Sequence, residues 1–199
     1  MITRTGFWHT PSRECNFNFR SVNSLGMTAA QTAVRIESPR VEDGAAIWRI
    51  ARDSEVLDLN SSYSYLLWCR DFAGTSAVAR DEAGEPIAFI TGYVRPERPS
   101  TLVVWQVAVD RAHRGHGLAG LLLEALTAKV CASHGITGVE TTVSPDNIPS
   151  DRLFTSYARR RGAALDRELL FDAGLFPDDG HQPEVLYRIG PLHPQGESL

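Results

Sequence analysis

From residue 33 onward, apolar and polar positions follow a period that switches between two and about 3.6, whereas the first 26 residues, "MITRTGFWHTPSRECNFNFRSVNSLG", show neither. This predicts an extension over 1–26, a folded domain over 33–192 and a short tail over 193–199. In the extension, Arg4, Arg13 and Arg20 against the single acid Glu14 weakly suggest an organellar transit peptide, but the amphipathic pattern is missing. Sequence lying upstream of a start at Met27 is the simpler reading.

Within the domain, "AVRIESPR" reads as a first strand, and Asp43 is placed to cap a helix whose Ile47, Ile50 and Ala51 share one face. A second helix is predicted through "SSYSYLLWCRDF". Then "TSAVAR", the turn "DEAGEP" and "IAFITGYVR" form an antiparallel hairpin, followed by the long strand "TLVVWQVAVD". Leu118, Leu122, Leu126 and Val130 recur at i+4, predicting an amphipathic helix that ends near "SHG". "ITGVETTV" is the next strand, "PSDRLFTSYARRRG" the next helix, and "AALDRELL" and "EVLYRIGPL" are two more strands around "FDAGLFPDDGHQP". The fold class is mixed α/β with a largely antiparallel first half, and no internal repeat is visible.

Composition narrows the function. A chain of 199 residues, 43% hydrophobic, builds one core, and a net charge of −4 gives no reason to expect nucleic acid or an anionic membrane as partner. Small molecules are the expected partners. Three cysteines, Cys15, Cys69 and Cys131, form no C-x-x-C pair, so neither a disulfide framework nor a zinc site is signalled and no metal is expected. No apolar run approaches the ~20 residues of a membrane span, and no secretory signal is present. A cytoplasmic protein is expected.

The stretch "RGHGLAG" holds Gly115, Gly117 and Gly120 in the spacing G-x-G-x-x-G. A dinucleotide site requires the strand to run directly into the first glycine and an acid about 20 residues on. Glu140, twenty residues past Gly120, meets the second demand, but "DRAHR" separates strand from loop, and too little chain remains for a doubly wound sheet. The dinucleotide reading is therefore disfavoured. The loop does offer backbone N–H groups at a helix N-terminus, where no intrahelical acceptor exists and the dipole favours an anion such as a pyrophosphate.

Here the sequence resembles the GNAT N-acetyltransferases. Their [QR]-x-x-G-x-[GA] signature is present at Arg114, Gly117 and Ala119, "VAVD" matches the family's splayed strand, and "NIPSDRLF" matches its N-x-x-[AS]-x-x-L-[YF] segment. The resemblance spans residues 33 to 192. It implies a central, mostly antiparallel twisted sheet flanked by helices, with the acyl-CoA loop between a splayed strand and the following helix. Acetyl-CoA is the implied co-substrate, held by Val107, Val109, Arg114, Gly115, His116, Gly117, Leu118, Ala119 and Asn147. It also implies a homodimer.

Within the family, "LDLNSSYSYLLWC" and "TTVSPDN" resemble the branch that acetylates the 4-amino group of L-2,4-diaminobutyrate on the way to the compatible solute ectoine. Another small amine, or an acyl-CoA sensor without turnover, are the alternatives. A diamine needs acids for its ammonium groups. Asp58 is an amine partner or a helix cap, Tyr63 closes over the substrate or is core, and Trp105 packs or adjoins the acetyl position. Glu184 and His181 are placed where the chain returns to the sheet, with Glu184 as the expected base. His113 and His116 flank the loop in a supporting electrostatic role, and Arg159 to Arg161 end a helix or reach a CoA phosphate. Val107 N–H is the expected oxyanion donor. Where many family members carry an acidic Tyr, this chain has Phe154. Tyr157, one turn on, is the expected substitute, with solvent as the alternative. Cys69 as an acetyl carrier is disfavoured, because no base signature adjoins it.

Overall fold

The computed structural model describes residues 34–177 and 180–192, so the expectations for 1–26 and for the tail lie outside the described residues. The elements are β1 (Arg35–Glu37), α1 (Gly44–Arg52), α2 (Ser62–Asp71), β2 (Ala77–Arg80), β3 (Pro86–Val94), β4 (Thr101–Val109), α3 (Leu118–His134), β5 (Gly138–Val143), α4 (Ile148–Arg161), β6 (Ala164–Phe171) and β7 (Glu184–Gly190). They follow the periodicity closely. The strands form one seven-stranded sheet in the order β1-β2-β3-β4-β5-β7-β6, in which β4–β5 is the single parallel pair among the described strands. A parallel neighbour requires a long crossover, and α3 supplies it.

Helices cover both faces. On one, Leu118, Leu122, Leu126 and Val130 of α3 and Phe154, Tyr157 and Ala158 of α4 pack on Ile90, Leu102, Val104, Val139 and Ile189. Each buried leucine contributes roughly 1.5 to 3 kcal/mol. On the other, Ile47, Ile50 and Ala51 of α1 and Tyr65 and Cys69 of α2 pack on Val78, Phe89 and Ala108. Covering both faces explains why β3 reads as a nearly unbroken apolar run.

The expected cap at Asp43 turns out differently, and so does the cap alternative at Asp58. Asp43 stands at the start of α1 but bonds no helical N–H. Its carboxylate instead takes a bidentate pair from Arg80, 2.8 and 2.6 Å, plus the Arg40 N–H at 2.7 Å. Burial pushes this carboxyl upward, but the guanidinium and the N–H outweigh it and hold Asp43 below its ordinary range. Nor is Asp58 a cap. Ser61 begins α2 and accepts from Ser64 N–H, which leaves the Asp58 carboxylate free for other partners.

Strand β4 carries a bulge. Thr91 pairs with Gln106 and Gly92 with Val104, so Trp105 is an extra residue. The alternation flips there. Leu102 and Val104 face α3 before the bulge, Val107 and Val109 after it, and Trp105 and Gln106 come to adjoin one another on the α2 side.

Candidate active site

The bulged strand parts from its parallel neighbour. β4 and β5 pair only through Thr101–Val103 and Gly138–Glu140, while β5 stays with β7 as far as Val143 and Val185. Asp110 N–H donates to the Ile87 carbonyl of β3, so the two-residue period turns the backbone groups of Val107 and Val109 to the opposite, open edge. Such an edge accepts an extended chain of amides. At the apex, buried Glu140 takes Arg95 at 2.5 Å, Arg98 at 3.0 Å and Arg188 at 3.3 Å. Buried and taken by three arginines, it is a structural clamp.

Beyond the open edge lies the glycine loop. Arg114 donates from Nε to the Val109 carbonyl at 3.2 Å and from Nη2 to the Asp53 carbonyl at 3.4 Å, fastening loop to strand. Gly115 and Gly117 take φ of +84° and +74°, the left-handed region that side chains disfavour, and a Cβ on either would meet no atom within 4 Å. Open space therefore faces the first turn of α3, whose amides have no intrahelical acceptor. A hollow of about 630 Å³ continues from it, lined by His116, Gly117, Ala119, Gly120, Arg152 and Arg160. Leu118 buries its side chain in the core and presents only backbone here. Asn147, past the end of β5, caps α4 by accepting from Ser150 N–H at 3.1 Å, and its amide NH₂ remains to donate. Together these groups fit a pyrophosphate followed by an amide-rich arm.

The other face of the sheet holds the remaining residues. Val185, Tyr187 and Ile189 of β7 face α3 and α4, so Glu184 shares the opposite face with Trp105. Trp105 is 52% exposed, hence no packing residue, and it stacks on Trp68 at 6.2 Å. His181 lies flat on Phe176 at 3.6 Å, contacts the Gln182 carbonyl through Nδ1 at 2.6 Å and the Asp58 carboxylate through Nε2 at 3.5 Å. The Gln182 carbonyl, followed by the charges of Asp58 and Glu184, raises the His181 imidazole against the opposing effect of its own desolvation. Asp58, His181 and Glu184 thus share one electrostatic neighbourhood. Tyr63 is not core. It stands exposed on α2, and the packed tyrosine of that helix is Tyr65.

Several expectations need correction or closer placement. Tyr157 is fully buried, and its hydroxyl donates to Thr127 Oγ1 at 2.9 Å inside the α3–α4 core. A hydroxyl so placed and raised by burial does not reach the open edge, so the expected thiolate acid is a packing residue. Cys69 is buried and pushed up to about 11 by desolvation, which keeps it a thiol. Of the three arginines ending α4, Arg160 lines the hollow, and Arg161 pairs with Glu124 at 3.6 Å. His113 Nδ1 lies 3.7 Å from Asp110 at the loop's start. Sequence reasoning missed Gln106 and Trp68, because only the bulge brings the first beside Trp105 and only the α2 packing brings the second.

No group of three or more metal-ligating side chains occurs among the described residues, and no described helix is long and apolar enough to cross a membrane. The sequence profile of the acetyltransferase (GNAT) family matches residues 44–158. The L-2,4-diaminobutyric acid acetyltransferase of Streptomyces anulatus is 75% identical over 79% of this chain and 89% of that protein. That of Streptomyces coelicolor is 68% identical over 85% of this chain and 100% of that protein. Among solved structures, the diaminobutyrate acetyltransferase from Paenibacillus lautus, in complex with its substrate L-2,4-diaminobutyric acid and coenzyme A, superposes with a TM-score of 0.77 at 39% identity, covering 84% of this chain and 99% of that one. With its parted strands, its glycine loop at a helix start and these likenesses, the chain belongs to the GNAT acetyltransferase family.

Proposed function

We propose that the protein transfers the acetyl group of acetyl-CoA to the 4-amino group of L-2,4-diaminobutyrate, giving N4-acetyl-L-2,4-diaminobutyrate and CoA for ectoine synthesis in the cytoplasm. The observation that carries it is the pairing of a phosphate-ready loop and an open strand edge with the carboxylates of Asp58 and Glu184 near His181 on the other side of the sheet. The loop amides and Arg114, Gly115, His116, Gly117, Leu118 and Ala119 hold the pyrophosphate. Val107, Val109 and Asn147 hold the pantetheine arm.

Asp58 and His181 hold the α-amino end, with Tyr63 and Trp105 bordering the diamine. Glu184 takes the proton of the 4-ammonium group directly or through water. The neutral amine adds to the thioester carbonyl, Val107 N–H stabilises the oxyanion, the nitrogen of the adduct gives up its second proton to solvent, and collapse breaks the C–S bond. The thiolate takes its proton from solvent. A homodimer fits the apolar edge of β6, where Leu169, Leu170 and Phe171 stand exposed beside Leu175. Light scattering on the purified protein tests it.

The activity test is thiol release from acetyl-CoA over a panel of diamines, with Asp58→Asn and Glu184→Gln as variants. Each should lower kcat/KM for diaminobutyrate roughly ten- to a hundred-fold, the value of a charge-assisted contact, at nearly unchanged acetyl-CoA affinity. Wild-type efficiency in both would move the amine site elsewhere.

A further inference from the structure

A buried chain of polar groups connects α2 to the loop that carries Asp58, and it has no part in the chemistry above. Tyr65, 1% exposed, donates its hydroxyl to Gln106 Oε1 at 3.1 Å, and Gln106 Nε2 donates to the main-chain carbonyl of Asp58 at 2.8 Å. A carbonyl only accepts, so the amide nitrogen must face Asp58 and the oxygen must face Tyr65. Both ends of the amide are engaged, and the side chain has one orientation.

Burying an amide in a strand costs free energy that an apolar residue avoids, and the hydrogen bonds at best offset it. What the arrangement does provide is a fixed height for Asp58. The segment between α1 and α2 has no regular structure over 53–60, and the Asp58 side chain is 86% exposed. The segment is tied at its start by Ser54 Oγ, which donates to the Ala51 carbonyl at 2.6 Å and accepts from Leu57 N–H at 3.3 Å. Leu57 packs against the α1–α2 core. Immediately after it, Gln106 holds the Asp58 main chain to β4. The bulge at Trp105 is what turns Gln106 to this face.

We propose that Gln106 and Tyr65 are positioning residues for the diamine: by fixing the Asp58 main chain they set how far the α-amino end stands from the thioester, and hence which amine is acetylated. This rests on the reading of Asp58 as holder of that end. Both side chains are buried.

The test uses the full-length protein with Gln106→Met and Tyr65→Phe, each alone and combined with Asp58→Asn. Gln106→Met should raise KM for diaminobutyrate about five- to tenfold and Tyr65→Phe about two- to threefold, each with kcat and the KM for acetyl-CoA within about twofold of wild type. Some acetyl should appear on the 2-amino group. In the Asp58→Asn background, Gln106→Met should add less than about twofold, because its effect runs through Asp58. Full additivity in that background, or a folded Gln106→Met protein with unchanged KM and a single product, overturns the proposal. A silent Asp58→Asn refutes the holder and takes this inference with it, whereas a damaging Asp58→Asn beside a silent Gln106→Met refutes the positioning alone. Should Gln106→Met fail to fold, Tyr65→Phe, which removes one oxygen, decides by the same criteria.

Discussion

His181 Nε2 stands 3.5 Å from Asp58 Oδ2, and this contact joins the loop before β7 to the loop after α1. The imidazole is raised in the folded protein, first by the Gln182 carbonyl and further by Asp58 and Glu184. A group raised on folding stabilises fully below its unfolded value, about 6.5 for histidine, and loses that contribution as pH climbs through the folded value. The melting-temperature gap between wild type and His181→Gln should therefore be widest at mildly acidic pH and close under alkaline conditions. Calorimetry across pH reads it directly, and a gap independent of pH would mean that the contact carries no charge.

Gly117 should be intolerant for a reason visible in its surroundings. A Cβ there meets no protein atom within 4 Å, so Gly117→Ala strains only its own backbone at φ +74°, roughly 1 to 2 kcal/mol. Any larger effect must come from what fills that space when acetyl-CoA binds. A folded variant whose acetyl-CoA dissociation constant rises more than about tenfold in calorimetry is the expected outcome. Unaltered affinity would remove the loop from the coenzyme site.

Tyr157→Phe should be nearly silent in catalysis. Thr127 Oγ1 accepts from Tyr157 and itself donates to the Leu123 carbonyl at 2.8 Å, so deleting the tyrosine hydroxyl orphans no donor. Loss of about 1 kcal/mol in stability and an unshifted alkaline limb of the rate profile are expected. A large fall in kcat with a displaced limb would instead make Tyr157 the acid.

Much of the fold is legible in the sequence. Helices and strands follow the apolar period, and glycines mark the loop at Arg114–Ala119 at a strand–helix junction. Asp58 and Glu184 lie far apart in the chain, and the fold sets both acids around His181. What escaped depended on long-range partners. Ser61 and Asp58 are both good caps, and only the bond from Ser64 N–H chooses between them. Tyr157 sits one turn from Phe154 on paper, but packing of α4 on α3 delivers its hydroxyl to Thr127. Counting by twos along "TLVVWQVAVD" assigns Gln106 and Leu102 to one face, because an unbroken period has no place for an extra residue at Trp105.

That extra residue yields the last prediction. Gly92 pairs with Val104 beside the bulge, and a Cβ on it would stand 2.6 Å from the Val103 carbonyl oxygen and 3.3 Å from that of Thr75. Leu102 Cδ1, also at 3.3 Å, can give way, but the two oxygens are backbone and cannot rotate aside as a side chain does. Gly92→Ala must therefore push β4 away from β3, at about 1 to 3 kcal/mol for an overpacked interior site. The displaced segment carries Trp105 and Gln106, so kcat/KM for diaminobutyrate should fall along with the melting temperature. Gly74→Ala is the control, since a Cβ there meets nothing within 4 Å. Its melting temperature and kinetics should match wild type. If Gly92→Ala behaves like Gly74→Ala, the strands have slack at the bulge, and the shape of β4 does not govern how the diamine is held.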